Sequence, residues 1–241
     1  RTMIAYENMK TAKQVILGEY KEMVRYEDIS ILKEEEKSLY LEGFLDKDRK
    51  EGFNLSENFL VRLSVLKLNN KEHKVIWSSH HILMDGWCSS LIMNDLFAIY
   101  SSLKNQKTLE LKEPAPYVEY VKWLEEQSEN NAKEYWANYV KGYSNHPQLP
   151  IKTGDHSQVF KKDRIDFTID KQMTNSLNNI SKIAQVTINT VIQSIWGLLI
   201  QKYTGMEDII FGSVVSGRNA KVEAIEEMVG LFINTIPVRV Q

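Results

Sequence analysis

The sequence predicts an α/β protein of two lobes, and three observations carry that prediction. Short runs alternate apolar and polar residues with the period of a strand, and longer runs repeat apolar residues at helical spacing. The two kinds of run are interleaved rather than segregated, which is the pattern of helices packed on a sheet. A composition break at 143–158, where Asn145-His-Pro-Gln-Leu-Pro150 precedes Gly154-Asp-His-Ser, separates two such mixed regions.

Residues 3–6, 14–17 and 23–26 read as short strands between polar turns. Residues 31–50 read as a charged helix with Leu41, Phe44 and Leu45 on one face. The run 61–68 alternates, 69–73 is a turn, and 74–81 returns as a second strand. After Gly86 the spacing of Leu91, Ile92, Leu96, Ile99, Tyr100 and Leu103 predicts a helix over 87–104. Pro-Ala-Pro at 114–116 leads into another helix, and a further one carries Tyr135 and Trp136 and fades at Gly142. Aromatic residues at helical spacing are core in most proteins, so Trp123, Tyr135 and Trp136 are expected there. Beyond the break the expected order is a strand at 164–169, helices at 173–184 and 187–203, and a strand at 209–215.

The chain opens at Arg1 without an initiator Met and closes inside a strand-like apolar run, 235–241. A strand cut there would leave ladder groups unmet. The expectation is a piece of a longer protein, with 1–150 as the first lobe and 151–241 as the incomplete start of the second.

Composition excludes several classes. The 241 residues are 43% hydrophobic and 26% charged, ordinary for a globular chain. Thirty basic residues are spread among 32 acidic ones, with no Lys/Arg stripe for nucleic acid. No apolar run approaches the roughly 18 to 20 residues that span a bilayer. A single cysteine, Cys88, permits neither an internal disulfide nor a cysteine-built zinc site, which fits a reducing cytoplasm.

The chemistry lies in Ser78-Ser-His80-His81-Ile-Leu-Met-Asp85-Gly86-Trp87-Cys88. Adjacent histidines on a strand point to opposite faces, so they cannot share one metal, and no metal site is expected. Gly86 is expected to free the backbone to turn from strand to helix. The helix start leaves unpaired N–H groups, and its dipole favours developing negative charge. A histidine beside such donors suits acyl transfer: a base or positioner for a nucleophile, and donors for a tetrahedral intermediate. No Gly-x-Ser-x-Gly elbow accompanies it, since Ser216 in Val-Val-Ser-Gly-Arg lacks the leading glycine. The expected chemistry is therefore direct transfer between two bound substrates with no covalent acyl-enzyme, the alternative being a histidine that is a satisfied core or surface residue.

The string His80-His81-Ile-Leu-Met-Asp85-Gly86 resembles the His-His-x-x-x-Asp-Gly motif of condensation domains from nonribosomal peptide synthetases. Arg1-Thr2 is similar to the tail of that family's early motif. Tyr117-Val-Glu-Tyr-Val-Lys-Trp123 is similar to its Tyr-x-Asp-Phe-Ala-x-Trp motif, and Val229-Gly-Leu-Phe-Ile-Asn-Thr to its late Gly-x-Phe-Val-Asn-Thr motif. The resemblance implies chloramphenicol-acetyltransferase-like lobes in a V, the first nearly complete here and the second truncated, with a tunnel between them. It implies amide-bond formation between aminoacyl groups on phosphopantetheine arms, with no cofactor bound directly.

By the same resemblance His81 is the catalytic histidine, and Gly86 supplies backbone at the donor carbonyl. His80 and Asp85 support the site, and Trp87 and Asn234 line the region between lobes. For Asn234, a strand-end hydrogen-bonding role stands equally open. In relatives the arginine that pairs with Asp85 lies near the N-terminus, and neither Arg1 nor any other residue of this chain is assigned to it. Implied partners are upstream and downstream peptidyl carrier proteins and an adjacent adenylation domain, with no nucleic acid and no membrane. The wording after Asp85 resembles domains joining an L-donor to an L-acceptor. An epimerization domain is the alternative enzyme, and a catalytically silent recruitment module the alternative from another class.

Overall fold

The computed structural model describes residues 2–18, 24–57, 60–144, 149 and 164–241. These form two compact units, one of Arg1–Lys122 with Arg218–Phe232, the other of Trp123–Gly217 with Ile233–Gln241. The expected lobe joint at 143–158 lies almost entirely outside the described residues, as do Arg1 and Met23.

In the first unit β1 (Thr2–Ala5) and β2 (Lys13–Ile16) pair antiparallel. A three-stranded sheet follows: β3 (Val24–Asp28) runs parallel to β4 (Val61–Lys67), which pairs antiparallel with β5 (His73–Ser79). Between β4 and β5, Asn69 Oδ1 accepts the N–H groups of Lys71 and Glu72, a local turn that asparagine favours. Between β3 and β4 lies α1 (Glu34–Glu51), with Glu34, Glu35 and Glu36 in its first turn and Arg49 and Lys50 in its last, as its dipole favours. Arg62, Ser64 and Leu66 on β4 are 6%, 2% and 0% exposed, so this strand buries the face with two polar residues. The helices α2 (Gly86–Lys104) and α3 (Val118–Glu125) follow within three residues of their expected starts.

The second unit contains α4 (Glu129–Tyr139), α5 (Lys171–Ile183), α6 (Ile188–Thr204) and the antiparallel pair β6 (Ile209–Val215) and β7 (Asn234–Val240). Asp170 and Thr187 cap α5 and α6 by accepting from Met173 and Thr190 backbone N–H groups. No single helix among the described residues is long and apolar enough to cross a membrane.

Two sequence expectations are corrected here. Residues 164–170 form no strand, and Ile165 and Phe167 are 89% and 82% exposed. Apolar alternation does not make a strand unless a neighbour supplies the ladder, and no described strand lies alongside. The aromatics expected in the core are not fully buried either. Tyr135 is exposed and Trp123 and Trp136 are half-buried, while Tyr135 stacks on Tyr139 and Trp136 meets both edge-on.

Gly197 of α6 faces β7 so closely that an added Cβ would lie 2.7 Å from Val240 Cγ2 and 3.0 Å from its Cβ. Gly197→Ala is expected to destabilise the protein by about 1–3 kcal/mol, because the Val240 side chain as a whole would have to move. Denaturant unfolding checks this.

Candidate active site

The strand β5 ends at Ser79, so the two histidines lie just beyond it rather than on it. His80 is extended (φ −76°, ψ 132°), and His81 opens the 3-10 turn His81–Leu83. The strand alternation therefore does not separate them; the turn does. His80 Nδ1 accepts the Ile82 N–H at 3.1 Å, and its ring meets Phe53 edge-on at 6.3 Å. His81 is exposed and lines an open pocket of about 370 Å³ with Trp77, Ser79, Met84, Asp85, Gly86, Ser89 and Met93. Two periods build its walls. Trp77 and Ser79 share one face of β5, and Gly86, Ser89 and Met93 share one face of α2.

Gly86 is the first residue of α2 and is not among the glycines with positive φ. The expected reason for a glycine, freedom to turn, is therefore not the operative one. An added Cβ would meet nothing within 4 Å, so what glycine leaves here is room beside the first N–H groups of the helix.

Asp85 is 3% exposed and caps the backbone entry to α2. Its arginine partner is Arg218, not a residue near the N-terminus: Arg218 Nη2 stands 3.4 Å from Asp85 Oδ1. The Phe232 N–H donates to Asp85 Oδ2 at 3.0 Å, and the Asp85 N–H donates to Gly230 O at 3.3 Å. Burial pushes the Asp85 carboxyl up, but the Phe232 N–H and the Arg218 charge outweigh it and hold it below its ordinary value. Arg218 also donates to Ile225 O and Met228 O and lies 4.0 Å over the Phe232 ring. Cys88, one turn into α2, is fully buried in the same cluster, with its Sγ 3.2 Å from Gly230 O and from Arg218 Nη2.

The middle and late motifs meet beside this cluster. Tyr117 donates its hydroxyl to Leu231 O at 2.7 Å and packs edge-on against Phe232 at 5.1 Å. Its ring covers Gly230, where a Cβ would stand 2.1 Å from Cδ2.

His81, Asp85 and Gly86 thus share one pocket, and His80 is not among its lining residues. Trp87 is half-exposed and donates from Nε1 to Glu226 O at 3.0 Å. Asn234 opens β7 in the second unit, where its Oδ1 accepts the Thr235 N–H. Among the described residues no group of three or more His, Cys, Asp or Glu could hold a metal. Sequence reasoning missed Arg218 and the pocket walls Trp77, Ser89 and Met93. The only signal for Arg218 was an arginine just after the apolar run of β6.

The family model for the condensation domain matches residues 1–241. The chain is 42% identical over 241 residues to tyrocidine synthase 2 of Brevibacillus parabrevis, covering 100% of this chain and 7% of that protein. It is 41% identical over 243 residues to bacitracin synthase 3 of Bacillus licheniformis, covering 100% of this chain and 4% of that one. The chain therefore spans a small fraction of the curated relatives that it matches. Among solved structures, the epimerization domain from the third module of tyrocidine synthetase B superposes with TM-score 0.79 at 16% identity, over 99% of this chain and 56% of that one. The first condensation domain of the calcium-dependent antibiotic synthetase gives TM-score 0.73 at 16% identity, again over 99% and 56%. At those identities the likeness is one of fold, and it is the chloramphenicol-acetyltransferase-like α/β fold expected. With the family model matched end to end and the histidine, aspartate and glycine of its motif gathered on one corner, the chain belongs to the condensation-domain family.

Proposed function

We propose that this chain forms the amide bond of nonribosomal peptide synthesis, joining an L-configured donor thioester to the amine of an L-configured acceptor. Both would arrive on phosphopantetheine arms of upstream and downstream peptidyl carrier proteins, beside an adenylation domain and in the cytoplasm. We propose the lobe division 1–150 and 151–241 along the chain; the compact units divide after Lys122 instead and return Arg218–Phe232 to the first. One observation carries the reading: exposed His81 and Gly86, with its unfilled Cβ position, line the same pocket at the start of α2.

In the reaction the acceptor nitrogen bonds to the donor carbonyl carbon. The carbon–sulfur bond then breaks, and the thiol leaves with the proton that the nitrogen gives up. His81 orients the amine and takes its proton. The first N–H groups of α2 face the charge that develops on the carbonyl oxygen. Asp85 anchors the loop through Arg218 and the Phe232 N–H. Trp87, next to Gly86 at the start of α2, bounds the substrate path.

Gly86→Ala is expected to leave the melting temperature unchanged, because its Cβ meets no protein atom, yet to slow amide formation roughly ten- to a hundredfold by displacing the donor. A parental rate would remove Gly86 from the donor site. The subtype is tested by offering the complete protein a panel of L- and D-aminoacyl pantetheine thioesters and separating the products on a chiral column. L,L-dipeptide alone is expected. Conversion of an L-donor to its D-form without amide would favour the epimerization reading.

A further inference from the structure

We infer that a buried clamp of Asp48, Arg62 and Ser78, extended by Phe53, positions the histidine corner from behind, so that Arg62 and Phe53 are positioning residues acting on His81 through His80. This rests on the reading of His81 given above.

Arg62 on β4 donates from Nε to Asp48 Oδ1 at 2.9 Å, from Nη2 to Asp48 O at 2.9 Å and from Nη1 to Gly52 O at 2.5 Å. Ser78 on β5, directly across the ladder from Arg62, donates to the other Asp48 oxygen at 2.5 Å. Burial pushes the Asp48 carboxyl up, and the hydrogen bonds from Arg62 and Ser78 more than reverse this. One carboxylate thus ties the end of α1 to both strands, two residues before His80. A buried ion pair is seldom a gain over packed apolar side chains of the same volume. The pair is thus better explained by what it holds in place.

Its outer end points at the motif. The Arg62 guanidinium lies 4.2 Å over the Phe53 ring, which also meets the His80 ring edge-on at 6.3 Å and 89°. The His80 N–H is held by Leu60 O at 3.0 Å, on the chain just before β4. Because His80 Nδ1 accepts the Ile82 N–H, the ring carries its proton on Nε2 in one tautomer. That bond caps the 3-10 turn on which His81 stands, while the Leu83 N–H closes the turn on His80 O at 3.2 Å. The sequence of contacts is Asp48, Arg62, Phe53, His80, turn, His81.

Two variants of the complete protein break this chain at different links. Phe53→Leu removes the ring but stays apolar. Asp48→Leu with Arg62→Met removes both charges, so that neither is left buried alone. Each is expected to lower kcat roughly ten- to a hundredfold on the L-aminoacyl pantetheine panel, with KM unchanged, as for a reacting group slightly misplaced. Phe53→Tyr, which keeps the ring, is expected to restore the parental rate. With ¹⁵N-labelled histidine, the His80 ring nitrogens are expected to lose their single-tautomer pattern in Phe53→Leu. Parental kcat in both clamp variants, beside a failing His81→Ala, overturns the clamp alone. A parental rate in His81→Ala overturns the role of His81 and this inference with it.

Discussion

In the complete protein His81→Ala is expected to lower amide formation by roughly 10²- to 10⁴-fold, the usual contribution of a positioned acid–base group. The same substitution should leave the melting temperature nearly unchanged. The imidazole is exposed on a pocket wall, so its removal takes little from the packed part of the first unit. Loading of the carrier arms should also be untouched, since that chemistry belongs to other domains. Single-turnover mixing of loaded donor and acceptor, beside thermal unfolding, reads both quantities. Dipeptide at the parental rate would remove His81 from the mechanism.

Asp85→Asn and Arg218→Ala are expected to do the opposite kind of damage. Each leaves the partner buried without its countercharge, which typically costs about 3–5 kcal/mol. That is a large part of a total of about 5–15 kcal/mol. Arg218→Ala also takes a charged donor from the Ile225 and Met228 carbonyls. The pH dependence follows from the direction of the Asp85 shift. Its folded carboxyl lies below the ordinary value of about 4, so its stabilisation is complete above that pH and is lost as pH falls through the folded value. Urea unfolding should show a wide gap between parent and Asp85→Asn at pH 7, narrowing on acidification below about pH 4. An Asp85→Asn protein as stable as the parent at pH 7 but inactive would make Asp85 a direct participant.

Much of the fold is legible in the sequence because its elements are locally encoded. The alternation at β4 and β5 and the helical spacing of α2, α5 and α6 predict them to within a few residues. What fails is what depends on distant chain. Residues 164–169 alternate like a strand but have no described ladder neighbour. On β4 the apolar pattern points Val61, Leu63 and Val65 inward, yet the chain buries Arg62, Ser64 and Leu66, because Asp48 arrives from α1 to satisfy the arginine. At the site, the corner and its pocket residue His81 were legible from the short motif. The partner of Asp85 was not, since Arg218 lies 133 residues along the chain and nothing local marks it as an ion-pair partner. Gly86 was legible as special, but for the wrong physical reason: space, not a positive φ.

The most direct test of the central claim follows the atoms. The complete protein is given a donor pantetheine thioester labelled with ¹³C at its carbonyl and an unlabelled aminoacyl acceptor thioester, in deuterated water. Mass spectrometry then follows the acceptor, the released donor thiol and the donor α-hydrogen. The account predicts one thiol freed for each amide formed, with the ¹³C carbonyl on the acceptor nitrogen and the α-hydrogen retained. Deuterium entering the donor α-position with no amide formed, or no reaction of either kind, would contradict it.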